Sequence, residues 1–389
     1  MMYKIVKDFP NDLIYKEVEP CVSLYQTTHR HGPENKSDPI VFRHLIQQIE
    51  ESLAQKYKKT DVKPIMDFFS EIKDDPAFWM HTLDGMAILA NQNECIVYLL
   101  DSPVEDIAFV ADRFHIRPLI QYFQSAQTYC LLGLGSNSIS LFEGNRYGVK
   151  EIELGDKITK EIEELNGEEH ADGFLTHGRY GGTDGIATFH GHGGRKDAIG
   201  KDLERFFRYV DKTVLENFSK TRKVPLILVS LEEHQGEFRK LSNNPYLVPE
   251  GVELSYEALD LDQITKKAWE IMEPLVLKKT QVLVDRYQNA KMNALGTDDL
   301  VEVARAVFEN NVETLLVEAD RIVPGRFDAQ TGKLELASID HPEFGDVIDL
   351  VVTAVMKNKG DVVVLPLEGM PTNTGIAAIF RYASETKRA

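Results

Sequence analysis

Short runs of consecutive apolar residues constrain the fold of this chain most strongly. Residues 225–230 read Pro-Leu-Ile-Leu-Val-Ser, and residues 362–365 read Val-Val-Val-Leu. A strand that is apolar on both faces needs cover on both sides, which is typical of the centre of an α/β sheet. Segments of helical periodicity alternate with such strands towards the end of the chain. This alternation predicts a C-terminal α/β/α layered sandwich.

The length of the chain predicts more than one domain. With 389 residues, and with domains of about 100–200 residues each, we expect two or three units, each with its own core. Breaks in the pattern predict an N-terminal α/β domain at 1–112, a middle domain at 113–288 and a C-terminal sandwich at 289–389. The predicted fold class is therefore α/β with three domains.

Local patterns predict individual elements in each domain. In the N-terminal domain a helix begins after Ser37 as its N-cap. The apolar stripe of this helix consists of Phe42, Leu45, Ile49 and Leu53. In the middle domain, residues 128–154 are expected to form a meander of three strands. In the C-terminal domain we expect one helix capped by Thr297 and a second helix over 344–357.

A glycine-rich segment with basic side chains precedes a helix predicted for 197–215. Residues 190–195 read His-Gly-His-Gly-Gly-Arg. The glycines let the backbone adopt positive φ and approach a partner closely. The side chains that offer donors to phosphate or ribose oxygens are His190, His192, Arg195 and Lys196. Because few apolar side chains anchor it, the segment 176–196 is expected to be mobile in the free protein.

Residues 179–223 form a basic island in an acidic chain. They contain ten Lys and Arg against six acids, whereas the whole chain has a formal charge of −18. One interpretation is a solvated, salt-bridged helix. The other is a surface for RNA phosphates that uses Arg205 and Arg208. The acidity of the rest disfavours broad coating of nucleic acid, so an RNA contact is expected to be focal.

Several classes of protein are disfavoured by composition. The cysteines, Cys21, Cys95 and Cys130, lack CxxC spacing, which argues against a disulfide framework and a structural zinc site. The N-terminus has no signal-peptide pattern, and no apolar stretch approaches the roughly 18 residues of a membrane span. We expect a reduced, cytoplasmic protein without cofactor, metal, membrane or DNA partner.

Three weaker motifs leave alternatives. Histidines at 170, 177, 190 and 192 suit zinc but lack an HExxH partner motif, so a metal-dependent hydrolase is a weaker alternative. The Thr-His-Arg-His-Gly segment at 28–32 is either a phosphate-contacting loop or, as we favour, a solvated turn. Gly133-x-Gly135 lacks the spacing of a nucleotide site and is interpreted as a turn.

Several further motifs occur in one order that resembles a known family. They are Asp-Arg-Phe-His-Ile-Arg-Pro-Leu at 112–119, the meander after it, and His-Gly-x-Gly-Gly before a basic helix. Together they resemble the middle domain of archaeal and eukaryotic class-1 peptide-chain release factors and their Pelota-type rescue relatives. Pro-Cys-Val-Ser-Leu-Tyr at 20–25, Phe78-Trp79 and Gly-Ile-Ala-Ala at 375–378 make the whole chain resemble the bacterial branch of that superfamily.

The resemblance implies a fold and an activity for each domain. The family's middle domain is ribonuclease-H-like and projects His-Gly-Arg-Gly-Gly-Gln into the ribosomal peptidyl-transferase centre, where it promotes hydrolysis of the ester between peptide and tRNA. The family's C-terminal domain resembles ribosomal proteins that bind kink-turn RNA, and it recruits a protein partner such as a GTPase. By this resemblance the family's histidine corresponds to His190 and its glycines to Gly191, Gly193 and Gly194.

The sequence departs from the family motif at two positions. His192 stands where the family has Arg, and Arg195 stands where it has Gln. In the family that glutamine positions the attacking water, largely through its backbone N–H, which any non-proline residue also carries. A guanidinium is larger and charged, however. By resemblance, the candidate catalytic residues are Gly193, Gly194 and Arg195, and the candidate ribosome-binding residues are His190, His192, Lys196, Arg205 and Arg208.

The resemblance therefore implies a tRNA-shaped factor of translation termination, ribosome rescue or quality control, whose partners are the ribosome, its rRNA and tRNA. The family's Asn-Ile-Lys-Ser motif for stop codons is missing from this chain. Hydrolysis of peptidyl-tRNA stays open because of Arg195. The alternative is a non-catalytic module that binds the ribosome or RNA.

Overall fold

The computed structural model describes residues 3–125, 128–155, 158, 192–328, 333–336 and 345–383. By its internal contacts the chain divides into two units. The first unit combines Met1–Ser125 with Leu277–Ala389, and the second unit is Ala126–Val276. The boundaries 1–112, 113–288 and 289–389 stay predictions. Within the described segments, no helix is both long enough and apolar enough to cross a membrane.

The N-terminal part of the first unit is a five-stranded sheet with helices. Its elements are β1 (Tyr3–Val6), β2 (Cys21–Thr27), α1 (Asp38–Lys56), α2 (Lys59–Lys73), α3 (Pro76–Met80), β3 (Gly85–Ala90), β4 (Cys95–Leu100), β5 (Ile107–Ala111) and α4 (Arg117–Ser125). The strand order is β1-β4-β3-β2-β5. The predicted apolar stripe of α1 is confirmed, since Phe42, Ile49 and Leu53 are buried in a core shared with α2. Ser37 is at the N-cap position, but its hydroxyl donates to the Glu34 carbonyl at 2.6 Å.

The second unit is built on another five-stranded sheet. Its elements are β6 (Tyr129–Leu134), β7 (Ile139–Asn145), β8 (Gly148–Ile152), α5 (His192–Val214), α6 (Lys220–Arg222), β9 (Leu226–Val229), α7 (Glu232–Leu241), β10 (Leu247–Val252) and α8 (Leu261–Met292), whose last residues belong to the first unit. The order is β10-β9-β6-β7-β8. The predicted meander is confirmed as the antiparallel strands β6, β7 and β8, while β9 runs parallel to both β6 and β10.

Strand β9 is covered on both faces, as its apolar sequence predicts. Leu226 and Leu228 lie in a core with Phe206 and Phe207 of α5. The alternating pair Ile227 and Val229 lies in a second core that includes residues of α8. Successive side chains of a strand point to opposite faces, so an uninterrupted apolar run marks a sheet with a layer on each side.

Helix α5 begins earlier than the sequence predicts. Its first residue is His192 rather than Asp197, so the segment from His192 to Lys196 is helical instead of belonging to the glycine-rich loop. Glycine is a poor helix former. Extension of an existing helix nevertheless costs far less than nucleation, and the packed residues further along α5 supply the nucleus.

The C-terminal part of the first unit has an α/β/α arrangement. Its elements are β11 (Gly296–Thr297), α9 (Leu300–Phe308), β12 (Val312–Glu318), β13 (Pro324–Asp328), β14 (Lys333–Leu336), β15 (Gly345–Asp346), α10 (Val347–Lys357), β16 (Asp361–Leu365) and β17 (Ile376–Phe380). The main sheet has the order β11-β17-β12-β16. Tyr287 of α8 packs with Leu316 and Ile379 of this sheet, while α9 and α10 also contact it. The predicted α/β fold class is confirmed.

The N-terminal caps of α9 and α10 differ from the predictions. Thr297 does not cap α9, because it lies in β11 and its hydroxyl donates to Glu302 at 2.7 Å. Asp299 is the cap, with its carboxylate accepting from the N–H groups of Val301 and Glu302, both at 2.9 Å. Helix α10 begins at Val347, with Asp346 as its cap, rather than at 344, which lies outside the described residues.

Candidate functional site

Helix α5 presents a basic stripe to solvent. The stripe consists of Lys201, Arg205, Arg208 and Lys212, all of which are exposed. Their spacing of four, three and four residues places them on one side of a helix with 3.6 residues per turn. Phe206, Phe207, Val210 and Val214 lie buried against the sheet. The predicted candidates Arg205 and Arg208 are therefore neighbours on one surface.

The acids of α5 neutralise this stripe only in part. Glu204 accepts from Nε and Nη2 of Arg208 at 3.2 and 2.9 Å, but both side chains are more than half exposed. Such surface pairs contribute at most about 1 kcal/mol and exchange readily for another anion. Asp211 is buried and accepts from the Ser242 hydroxyl and from the Asn243 N–H, the latter at 3.0 Å. Its charge is therefore held inside the unit.

The other predicted site residues occupy the start of α5 or precede it. His192, Gly193, Gly194, Arg195 and Lys196 are the first residues of the helix, and their side chains lie outside the described part of the chain. His190 and Gly191 lie outside the described residues, as does the stretch 176–191 of the segment expected to be mobile. Gly193 and Gly194, the glycine pair, thus belong to the same helix as the basic stripe.

Two polar residues of the 28–32 segment, His29 and Arg30, form hydrogen bonds within the protein. His29 contacts Asp38 through its ring Nδ1 and its backbone N–H, both at 2.8 Å. Nε of Arg30 donates to both carboxylate oxygens of Asp84 at 3.0 Å, and its Nη2 donates to Asp101 at 2.8 Å. A guanidinium paired in this way has few donors left for a phosphate. The turn interpretation is favoured over the phosphate-contacting loop.

A buried ionic cluster in the first unit was missed by the sequence analysis. His115 and Arg117 meet Asp346 and Asp349, which are more than 200 residues away in sequence, and all four are less than a tenth exposed. Nδ1 of His115 lies 2.5 Å from the Asp349 carboxylate. The available signals were an acid on the apolar face of α10 and a His-x-Arg pair that encloses the buried Ile116. Buried charges require partners.

Arg117 is the centre of the cluster. Its Nε donates to Asp349 at 3.1 Å, and its Nη2 donates to Asp346. Its Nη1 donates to the carbonyls of Glu318 at 2.8 Å and Arg321 at 2.6 Å. Imidazole and carboxylate atoms of His115, Asp346 and Asp349 lie within 4.8 Å of one another, a spacing that could hold a metal ion. Because the guanidinium already binds both carboxylates, the cluster is better explained as a structural ion network.

The two carboxyl groups of the cluster titrate differently. Burial, together with the neighbouring charge of Asp349, raises the pKa of Asp346 to about 6 despite the opposing effect of Arg117. Burial also acts to raise the pKa of Asp349, but His115 and Arg117 outweigh it and lower that pKa. The pKa values of two acids that share one guanidinium are thereby shifted in opposite directions.

We expect Asp346 to make stability depend on pH between about 4 and 6. As the pH falls through this window, the folded state binds a proton at Asp346 while the unfolded chain, with a usual pKa near 3.9, does not. The stability that wild type has in excess of Asp346→Asn should therefore rise from pH 7 to pH 5. The lowered pKa of Asp349 acts below about pH 4, outside the window.

Urea unfolding can measure this difference in the first unit alone. The tryptophans of the chain are Trp79 in the first unit and Trp269 in the second, so a Trp269→Phe background leaves Trp79 fluorescence as the reporter. Asparagine retains an oxygen that can cap α10. A stability difference that stays flat or falls from pH 7 to pH 5 would contradict the prediction.

Comparison with known proteins gives a match to a family model over part of the chain. Residues 128–311 match the model of the bacterial archaeo-eukaryotic release factor family 3. No curated protein matches the chain. The matched range includes the meander β6–β8, the glycine pair, the stripe of α5 and the start of the C-terminal sheet.

Matches among solved structures include proteins from archaea and S. cerevisiae. An archaeal translation termination factor is 15% identical over 95% of both chains, with a TM-score of 0.25. A ribosome-bound archaeal Pelota is 16% identical over 77% of this chain and 78% of that one, with a TM-score of 0.39. A translation termination-like factor of S. cerevisiae is 12% identical over 75% and 74%, with a TM-score of 0.39. Over residues 128–311, the chain is therefore similar to the bacterial archaeo-eukaryotic release factor family 3.

Proposed function

We propose that this protein acts on the ribosome in termination, rescue or quality control, and that it docks there through the basic stripe of α5. The observation that carries the proposal is the row of exposed Lys201, Arg205, Arg208 and Lys212 on the helix that starts with the glycine pair. Ribosomal RNA presents a dense array of phosphates. Each phosphate that a Lys or Arg neutralises releases counterions, which favours binding.

The charge distribution supports a contact confined to this helix. A chain with a formal charge of −18 is repelled by RNA over most of its surface. The stripe is an exception: its basic side chains are exposed, whereas one acid of the same helix, Asp211, is buried against Ser242 and Asn243. Orientation on the ribosome would then follow from charge, with α5 facing the RNA and the acidic surface facing away.

Docking through α5 would also place the glycine pair at the ribosome, because both glycines belong to this helix. In a regular helix the N–H of each residue pairs with the carbonyl four residues earlier, so the first N–H groups of a helix lack such partners. Gly193 and Gly194 are the second and third described residues of α5, so their N–H groups lie near the positive end of the helix dipole. We propose that these donors face the peptidyl-tRNA ester.

Arg195 is the fourth described residue of α5, a position at which a regular helix engages the backbone N–H in an internal hydrogen bond. Hydrolysis by the family's mechanism would require this N–H to be released, which means unwinding the first turn. Each glycine weakens the helix by about 1 kcal/mol relative to alanine, so the turn is a weak one. The same pairing favours the second candidate function, a factor that binds the ribosome without hydrolysis.

Charge reversal of the stripe tests docking. The double substitution Arg205→Glu and Arg208→Glu should weaken ribosome binding, and the slope of log affinity against log salt should fall by about 2. Sedimentation of labelled protein with ribosomes at several salt concentrations measures both quantities. Both side chains are exposed, so the substitutions should leave the fold intact.

A matched control distinguishes the effect of the stripe from the effect of the overall net charge. Lys150→Glu with Lys266→Glu makes the same charge change at exposed positions of β8 and α8 in the second unit. This control should bind almost as wild type does. Equal loss of affinity in both double variants would reduce the effect to overall charge, and an unchanged affinity in the stripe variant would leave α5 as an ordinary solvated helix.

A further inference from the structure

The first unit contains a cavity that neither the basic stripe nor the buried ionic cluster uses. Its volume is about 310 Å³, and it lies between the 3-10 turn Asp12–Tyr15, the end of α9 and the second half of α10. One wall is apolar and consists of Val307, Phe308, Leu350 and Ala354. Ligand pockets typically have volumes of roughly 300–1,000 Å³, and this cavity is at the lower end of that range. It is therefore large enough for one large side chain of a peptide together with the adjacent backbone.

The polar rim of the cavity has two positively charged side chains and one negatively charged side chain. Nη2 of Arg113 and Nζ of Lys357 lie 3.3 and 3.5 Å from the same carboxylate oxygen of Glu17. Glu17 is 64% exposed, and the charge of Arg113 is the main cause that lowers its pKa. Its carboxylate is thus a loosely held counter-ion that another carboxylate could replace. The rim has a net positive charge within a strongly acidic chain.

Apolar surface continues beyond the cavity along α9. Phe308 at the cavity is 50% exposed, and Val301, seven residues earlier, is 47% exposed. Residues seven apart share one side of a helix. A small molecule usually buries most of its surface in its pocket and would leave this side of α9 uncovered. A peptide chain would cover it.

We propose that this cavity binds an acidic peptide segment of a partner protein, in which a large apolar side chain stands next to a carboxylate. The apolar side chain fills the space between Phe308 and Ala354. The carboxylate replaces that of Glu17 between Arg113 and Lys357. The resemblance implies that the C-terminal domain recruits a protein partner. The cavity is a site at which such a partner would bind, and its lining indicates which chemical groups the partner would present. It does not depend on ribosome docking through α5.

Opposite responses of two rim residues test the proposal. Lys357→Gln should weaken binding of the peptide acetyl-Asp-Phe-Asp-amide, because it removes an attracting charge. Glu17→Gln should strengthen binding, because it removes the internal competitor. Each change is expected to be about two- to five-fold, as is usual for one exposed charge pair. Fluorescence anisotropy of the labelled peptide with the full chain, without ribosomes, measures the affinities.

Control variants and peptides make the test specific. Lys278→Gln removes an exposed lysine of α8 outside the cavity and should leave the affinity unchanged. A peptide with Ala in place of Phe, or with Asn in place of both Asp, should bind more weakly than the parent. The proposal is overturned if the parent peptide does not bind, if Glu17→Gln and Lys357→Gln shift the affinity in the same direction, or if the uncharged peptide binds equally well.

Discussion

Replacing Arg117 with Met is expected to lower the free energy of unfolding of the first unit by about 3–5 kcal/mol. The substitution leaves Asp346 and Asp349 buried without their shared cation, and it removes the donor that Arg117 supplies to the carbonyls of Glu318 and Arg321. A buried charge that loses its partner is far more costly than an exposed one. Trp79 fluorescence during urea unfolding, in the Trp269→Phe background, measures the loss.

A nearby arginine provides the control for this prediction. Arg113 is partly exposed and pairs with the exposed Glu17, so Arg113→Met should cost at most about 1 kcal/mol. The triple variant Arg117→Met, Asp346→Asn and Asp349→Asn removes the unpaired charges and should regain part of the stability lost in Arg117→Met. If Arg117→Met were no more destabilising than Arg113→Met, the cluster would not hold the two parts of this unit together.

The cluster also connects segments that the sequence alone separates. His115 and Arg117 follow β5, whereas Asp346 and Asp349 begin α10. Gln124 of α4 adds a second link, since its side-chain amide exchanges hydrogen bonds of 3.0 and 2.9 Å with the backbone of Val364 in β16. These contacts explain why residues before 126 and after 276 form one unit, although they belong to opposite ends of the chain.

Local patterns predicted the elements of the fold well. The uninterrupted apolar run of β9, the periodic stripe of α1 and the turn-separated strands β6, β7 and β8 were all expected from sequence, because each depends on neighbours within a few residues. The cap of α9 was predicted wrongly for the opposite reason. Thr297 is drawn into β11 by pairing with Ala378, a contact that no local pattern reveals.

The candidate site was only partly predictable. Arg205 and Arg208 were chosen from charge density, and their spacing with Lys201 and Lys212 would have revealed the stripe without a structure. The ionic cluster depends on contacts across more than 200 residues, for which the sequence offers only an acid on an apolar helix face. The extension of α5 to His192 was missed because the glycines indicate a loop, whereas the packing further along the helix favours continuation.

Replacing Arg195 with Gln is expected to raise the rate of peptide release from stalled ribosomes by about 10²-fold. The substitution gives the Gly-Gly-Gln ending of the family that the chain resembles, and it removes a bulky charged group from the position after Gly194. The backbone N–H is present in both residues, so the gain comes from letting this donor reach its position once the arginine side chain is removed; one correctly placed donor contributes about 10²–10³-fold in rate. Release of labelled peptide from purified ribosome–peptidyl-tRNA complexes at saturating factor measures the effect, and ribosome sedimentation in parallel confirms equal occupancy.

The variant Arg195→Pro distinguishes the effect of the side chain from the effect of the backbone N–H. Proline has no N–H, so Arg195→Pro removes this donor; because Arg195 is the fourth residue of α5, proline also unwinds the first turn of the helix. If release depends on this N–H, Arg195→Pro should bind ribosomes and release nothing, while wild type and Arg195→Gln differ only in rate. If neither wild type nor Arg195→Gln releases peptide although both sediment with ribosomes, hydrolysis is refuted. The protein would then act by occupying the ribosome, with the N–H of Arg195 kept inside α5.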